Sequence, residues 1–351
     1  MPMAENLGVR ISLVIVTYNR AEELLRLLGS LEEMLARTDV EVVLVDDGST
    51  DGTIERVSPV LAPLGDRLQI IRQANSGPGV GRNRGILCAR GEIVGFIDTD
   101  CVVHPGWLDA LVAPFADAHV GAVGGPDRSQ PDDPLLMCLI DYLMTAFLTT
   151  GGVRGAKKAR GGSYHPRSFN MAVRREAAVA AEGFPTIWYG EDILFSWRVA
   201  QVGWKLEFAP DAWVYHRRRT TLRGWARQLY RMGRARWWMG RYDRRLLDPI
   251  YVLPLAEWIV GLAALAGIAS GGFWRTAGCA VVAAAAFYAC AIGLDGWRRV
   301  GHTAALVGVP AMFFLREAAY ALGSLAGIFS GVPDLRGALS RNEELSKGGA
   351  S

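Results

Sequence analysis

The chain has 351 residues, room for one large domain or two smaller ones with a substantial core. Its 38 basic and 35 acidic side chains leave a net charge of only +3, which argues against a surface built throughout for nucleic acid. Five scattered cysteines with no C-x-x-C pair argue against a zinc ribbon or a disulfide scaffold.

The first twenty residues, MPMAENLGVRISLVIVTYNR, lack the charged, apolar and small-residue succession of a leader, so the first domain is expected in the cytoplasm. Within them ISLVIVT, residues 11–17, is a continuous β-branched run and predicts a buried parallel strand. Leu24, Leu27, Leu28, Leu31 and Leu35 then recur at helical spacing over 21–36. The alternation continues with a strand at 40–45, a helix near 53–61, a strand at 68–71, a helix at 80–89 and a strand at 93–97. Strands alternating with helices predict an α/β domain on an open, mostly parallel, Rossmann-like sheet.

Ligands of such sheets bind beyond the carboxyl ends of the strands. The segments there are Thr17-Tyr18-Asn19-Arg20, Asp46-Asp47-Gly48-Ser49, Asn75-Ser76-Gly77-Pro78-Gly79 and Asp98-Thr99-Asp100. SGPGVGRNRG does not fit G-x-G-x-x-G, and no G-x-x-x-x-G-K-[ST] occurs, which argues against a nicotinamide dehydrogenase or a P-loop ATPase. Two aspartates two apart at a strand end can grip a hard divalent cation and leave positions for phosphate oxygens. Asp46-Asp47 can cap the next helix or accept hydrogen bonds from a base or ribose.

VIVTYNR, VDDGSTD, NSGPGVGRNRG, GEIVGFIDTD and the later GEDILFSWR resemble, in order and spacing, the family 2 glycosyltransferases, over about residues 10–216. The resemblance implies a GT-A fold and inverting transfer of a sugar from a nucleotide-diphosphate donor, a UDP-sugar foremost, aided by Mg²⁺ or Mn²⁺. It implies that Thr17 and Asn19 adjoin the base pocket, that Asp46 contacts the base, and that Arg82 and Asn83 lie on the donor side. It places Asp98 near the ribose or sugar and makes Asp100 the principal metal ligand. Gly81 stands where the family usually has alanine. Tyr189-Gly190-Glu191-Asp192 resembles the family's acidic pair; inversion needs a base on the acceptor side, a role assigned to Asp192 with Glu191 as its neighbour. His216, closing the strand-like DAWVYH, is either a further metal or diphosphate contact or a strand cap.

Pro134–Thr150 is an apolar run too short to span, expected either in the domain core or against the membrane. The glycine-rich basic stretch 151–170 reads as a mobile loop over the substrate or a plain connector.

Eleven arginines fall between Arg217 and Arg245 against the single acid Asp243. Leu222, Trp225, Leu229 and Met232 form an apolar stripe flanked by Arg223, Arg227, Arg231 and Arg234, the layout of an interfacial helix. Two apolar stretches near 250–270 and 273–294 are long enough to cross a bilayer. A third, 303–330, carries Arg316 and Glu317 at its centre and is expected to be re-entrant or interfacial. Basic residues on both flanks of the pair predict that those flanks face the cytoplasm.

The expected organisation is therefore a catalytic domain over 1–216, basic interface helices over 217–248, a membrane domain over 249–331 and a flexible tail over 332–351. The expected activity is elongation of a lipid-linked, polyprenyl-diphosphate-borne saccharide at the cytoplasmic face of the inner membrane, with no nucleic-acid partner. Among relatives the layout is similar to the succinoglycan-type glucosyltransferases of exopolysaccharide assembly. A processive polysaccharide synthase is the neighbouring alternative, disfavoured because Met232 replaces the tryptophan of Q-x-x-R-W in Gln228-Leu229-Tyr230-Arg231-Met232. A membrane-tethered nucleic-acid-binding protein is the alternative from another class.

Overall fold

The computed structural model describes residues 10–130, 132–150 and 164–339. Most of the basic loop and the last residues of the tail lie outside the described residues. The chain divides into two compact units. Met1–Arg128, Lys157–Arg217 and Asp334–Ser351 belong to the first; Ser129–Ala156 and Arg218–Pro333 belong to the second.

The first unit is built from strands β1 Ile11–Thr17, β2 Val40–Asp46, β3 Leu68–Arg72, β4 Ile93–Ile97, β5 Cys101–Val103, β6 Val120–Gly124, β7 Asp127–Arg128, β8 Asn170–Arg174, β9 Lys205–Phe208 and β10 Val214–His216. Seven form one sheet in the order β3-β2-β1-β4-β8-β6-β9, and β5-β10-β7 form a second. β1 pairs in parallel with both β2 and β4, and β2 with β3. β8 runs antiparallel between β4 and β6.

Pleating divides the β-branched strands between two cores. Leu13 and Ile15 pack with Leu24, Leu27, Leu28 and Leu31 on one side; Val14 packs with Ile86, Phe96, Phe184 and Phe195 on the other. Each of these fully buried leucines contributes about 1.5–3 kcal/mol. The expected helices are present as Ala21–Ser30, Thr53–Leu61 and Pro78–Cys88.

Register fixes the chemistry of the edge. Thr17 lies opposite Asp46 and Asp46 opposite Arg72, so the polar groups closing three parallel strands align. In the small sheet His216 pairs with Cys101, and Val214 with Asp127.

The segment after the last apolar helix, read from sequence as the start of a flexible tail, is packed into this unit as far as it is described. Leu335, Ala338 and Leu339 are buried. Leu339 N donates to Glu182 O at 3.1 Å, and Arg198 Nη1 to Leu335 O at 2.9 Å.

The second unit is helical: Leu135–Thr145, Phe147–Thr150, Leu222–Tyr242, Leu253–Ser270, Gly272–Val300 and Ala305–Phe329. The last three are long and apolar enough to cross a membrane. Ala305–Phe329, for which the sequence favours a re-entrant or surface course, is one continuous helix of 25 residues. Its central charges close on each other, with Arg316 Nη2 2.5 Å from Glu317 Oε1.

The arginine-rich helix Leu222–Tyr242 starts at Thr221, whose Oγ1 accepts from Gly224 N at 3.1 Å. It lies directly on Ala305–Phe329. A Cβ added at Gly323 would stand 2.0 Å from Tyr230 O, and one at Gly233 2.3 Å from Tyr320 O. Only glycine permits that approach. Trp225 and Leu229, half of the predicted apolar stripe, are therefore buried against protein, whereas Leu222 is exposed. Arg223 and Arg227 point outward, and Arg236 is buried over the Tyr251 ring at 3.7 Å.

Candidate active site

The site lies within the first unit. At the end of β1, Thr17 is buried, and its Oγ1 has no hydrogen-bond partner among the described residues. Asn19 sits in the left-handed region at φ 52°, which asparagine tolerates. Its backbone N–H donates to Ser49 Oγ at 2.9 Å, and its Oδ1 accepts from Thr50 N at 2.7 Å. Asp46, also buried, accepts from Ser49 N at 2.9 Å through Oδ1. Asp47 is committed to structure: it accepts from Gln73 Nε2 at 2.8 Å and from Ser76 N and Gly77 N at 2.9 Å. The two adjacent aspartates thus divide the work, Asp47 pinning the third loop while Asp46 closes its own turn.

The glycine-rich segment begins the helix Pro78–Cys88, with proline at its first position, where a missing N–H costs nothing. A Cβ at Gly81 would come within 2.6 Å of Val16 Cγ1. That proximity explains why glycine stands where the resembling family carries alanine. The close seating delivers Arg82 to the sheet edge. Arg82 Nη2 donates to Asp98 Oδ1 at 2.7 Å and Nη1 to Glu191 Oε1 at 3.2 Å.

Burial pushes the Glu191 carboxyl up to about 8; neighbouring Asp192 adds to this and Arg82 opposes it. Burial likewise works against the Arg82 charge, but Asp98 first and then Glu191 outweigh it and raise the guanidinium. The shorter contact decides the pairing. Asp98 makes the shorter contact to Arg82 and Glu191 the longer one. Asp192 beside it lies 3.6 Å from Arg167 through Oδ2.

On the other side of Asp98, His216 Nε2 is 3.4 Å from Asp100 Oδ1, and its Nδ1 is 3.7 Å from Asp127 Oδ2. Arg20 Nη1 reaches Asp100 Oδ2 at 3.3 Å. Burial alone would lower the imidazole; Asp100, then Asp127, outweigh it and hold His216 up to about 9. Ligand atoms of Asp100, Cys101 and His216 all lie within 4.8 Å of one another. Burial drives the Cys101 thiol well up, and its Sγ donates to Phe169 O at 3.6 Å, so it is no ligand for a hard cation. A carboxylate and an imidazole remain, a pair that suits Mn²⁺.

Residues 12–179 match the family model described as Glycosyl transferase family 2. Among relatives, glycosyltransferase AglE of Haloferax volcanii is 27% identical over 254 residues, 71% of this chain and 80% of that protein. An uncharacterised glycosyltransferase of Nostoc sp. is 38% identical over 130 residues, 34% of this chain. The pre-mycofactocin glycosyltransferase of Mycobacterium tuberculosis is 29% identical over 228 residues, 64% of this chain. The matches span 39% and 46% of the length of the last two relatives. The mannosyltransferase PcManGT of Pyrobaculum calidifontis, solved with GDP-Man and Mn²⁺, shares the fold, with a TM-score of 0.60 and 21% identity over 91% of this chain and 87% of that one.

Within the matched segment and its continuation to His216, the predicted residues separate into three groups. Thr17, Asn19 and Asp46 close the first two strands. Asp98, Arg82 and Glu191 form a contact chain that leads to Asp192, and Asp100 and His216 form the candidate cation pair. Asn83 stands apart from these. It is fully buried, donating to Phe184 O at 2.9 Å and accepting from Phe184 N at 2.7 Å. Its amide therefore fixes the backbone that leads into the acidic pair.

Sequence reasoning missed Asp127, Arg20 and Arg167. Asp127 follows β6, which runs parallel to β4 by way of β8 and so ends on the same edge, an order visible only once the sheet pairing is known. Arg20 lay in the segment beyond the first strand with no role assigned to it, and Arg167 had no signal beyond its charge.

Proposed function

We propose that the protein is an inverting, metal-dependent glycosyltransferase that moves a sugar from a nucleotide-diphosphate donor, a UDP-sugar foremost, to a lipid-linked saccharide at the cytoplasmic face of the inner membrane. The observation that carries the reading is the double contact of Arg82, which ties the Asp98 end of the D-x-D turn to Glu191 of the acidic pair. Donor-side and acceptor-side groups are thereby held in one frame.

In this reading the unpartnered Thr17 hydroxyl and Asp46 meet the base, with Asn19 shaping the adjoining turn. Asp100, with Asp98 and His216, would hold Mg²⁺ or Mn²⁺, which when bound neutralises the diphosphate. Arg82 keeps Asp98 in place. Asp192 takes the proton of the acceptor hydroxyl as that oxygen bonds to the anomeric carbon and the bond to the diphosphate oxygen breaks. A single displacement inverts the centre. Burial raises the Glu191 carboxyl, which favours its uncharged form beside the base.

The lipid-borne acceptor is supported by the three long apolar helices and the exposed arginines of Leu222–Tyr242. The test is hydrolysis of a panel of nucleotide sugars with Mn²⁺ or Mg²⁺ by wild type, Asp100→Ala and Asp192→Asn. Wild type consumes one donor only with metal, and both variants lose that activity. Consumption of no donor, or full activity in both variants, overturns the reading.

A further inference from the structure

Within the first unit, the turn 181–184 joins the helix Arg175–Ala180 to the loop before the acidic pair. Glu182 stands in the left-handed region at φ 58°, which a glutamate rarely adopts, and Gly183 follows at φ 64°. Groups from distant parts of the same unit hold the main chain in this course. Arg198 Nε donates to Ala181 O at 3.0 Å, and its Nη2 donates to Gly183 O. Leu339 N donates to Glu182 O at 3.1 Å, and the Asn83 amide closes on Phe184 N and O.

The same turn is tied to the helix that carries the acidic pair. Arg198 lies on that helix, Glu191–Gln201, about two turns beyond Asp192. Its Nη1 donates to Leu335 O at 2.9 Å, so one guanidinium joins the helix, the turn and the segment 334–339. Phe184 stacks on Phe195 with ring centroids 4.1 Å apart, and Leu339 is buried in the same cluster beside Val199. Gly337 is seated so closely that an added Cβ would collide with Glu182 O. The helix starts at Gly190 with no side-chain cap. Its seat therefore depends on Arg82 at the front and on this cluster behind.

From this geometry we infer that Arg198, Gly337 and Leu339 are positioning residues for the acidic pair. The segment 334–339 is a strap that clamps the turn 181–184 and the helix behind it, and so sets where Asp192 stands against the acceptor hydroxyl. The inference rests on the reading of Asp192 as the base.

A left-handed residue persists only while its surroundings over-determine it. Once the strap is displaced, Glu182 relaxes, and the loop that leads to Glu191 and Asp192 moves with it. A misplacement of about 1 Å at a reacting group costs on the order of 100-fold in rate. Thr17, Asp46 and Asp100 are placed instead by β1, β2 and the turn after β4. The strap therefore acts on turnover and leaves donor binding as it is.

The test compares Gly337→Ala, Leu339→Ala, Leu339→Val and Leu339→Met in the full chain, with Arg336→Ala at an exposed strap position as the control. For the nucleotide sugar that wild type hydrolyses, kcat per folded molecule should fall by about 10- to 100-fold in the two alanine variants at 337 and 339, with KM unchanged. Leu339→Val should show the same signs at smaller size, so the outcome does not hang on the harsher variants folding, and Leu339→Met should retain most of the turnover. Hydrogen–deuterium exchange should rise several-fold in peptides covering 184–195 and stay at the wild-type level over 11–30. A lower melting temperature with kcat per folded molecule unchanged overturns the positioning role, as does a raised KM with kcat unchanged. Unchanged exchange over 184–195 overturns the clamp. If wild type hydrolyses no donor, or Asp192→Asn keeps full activity, the assignment of the base fails by itself, and exchange over 184–195 still decides the clamp.

Discussion

Arg82 and Asp98, sixteen residues apart, meet at 2.7 Å at the carboxyl edge of the sheet. The guanidinium is almost wholly buried and the carboxylate about one-third exposed. The pair joins the glycine-rich helix to the D-x-D turn and, through the second arm of the arginine, to Glu191.

Arg82→Ala should lower stability by about 3 kcal/mol, the lower end for breaking a buried pair, because Asp98 keeps part of its hydration. Arg82→Lys should retain charge and lose the two-armed reach, recovering part of the stability and little of the turnover. Denaturant unfolding beside donor hydrolysis separates the two effects.

His216→Ala should weaken Mn²⁺ binding by roughly 10- to 100-fold, since it removes a nitrogen beside Asp100. Titration of free Mn²⁺ by its paramagnetic signal reads this without any substrate. Unchanged affinity would remove His216 from the cation site.

Glu191 makes stability depend on pH. Its carboxyl is up at about 8 in the folded protein and about 4.3 when unfolded. The folded state therefore holds an extra proton between these values, and stability falls as pH rises through that window. The contribution is complete below about 4.3 and gone once pH has passed about 8. Glu191→Gln, which cannot ionise, should flatten that fall. Melting temperatures from pH 5 to 9 in metal-free protein, wild type beside variant, check it.

Gly81→Ala should cost about 1–3 kcal/mol, because the new methyl would press on Val16 Cγ1. Val16→Ala in the same chain should recover most of the loss, a coupling that a double-mutant cycle measures directly.

The parallel half of the first unit was legible because ISLVIVT and its successors are apolar runs of strand length, separated by leucines at helical spacing. The acids were legible because parallel strands must end together. What register and distant pairing decide was less so. Asp127 reaches His216 only through the second sheet, and nothing in GPDRSQ announces that pairing. The apolar run 134–150 remained open between core and membrane, because periodicity says that a face is buried and not what covers it.

The packing of Leu335 against Arg198 has a consequence for biogenesis. Those two residues are 137 positions apart, and all three long apolar helices lie between them. A ribosome emits the first unit's sheet first and its last core residues only after the apolar helices. The unit therefore cannot complete its packing until those helices have left the tunnel. Premature termination before Asp334 would yield a chain with every proposed catalytic group and an unfinished core, a natural substrate for quality-control proteolysis.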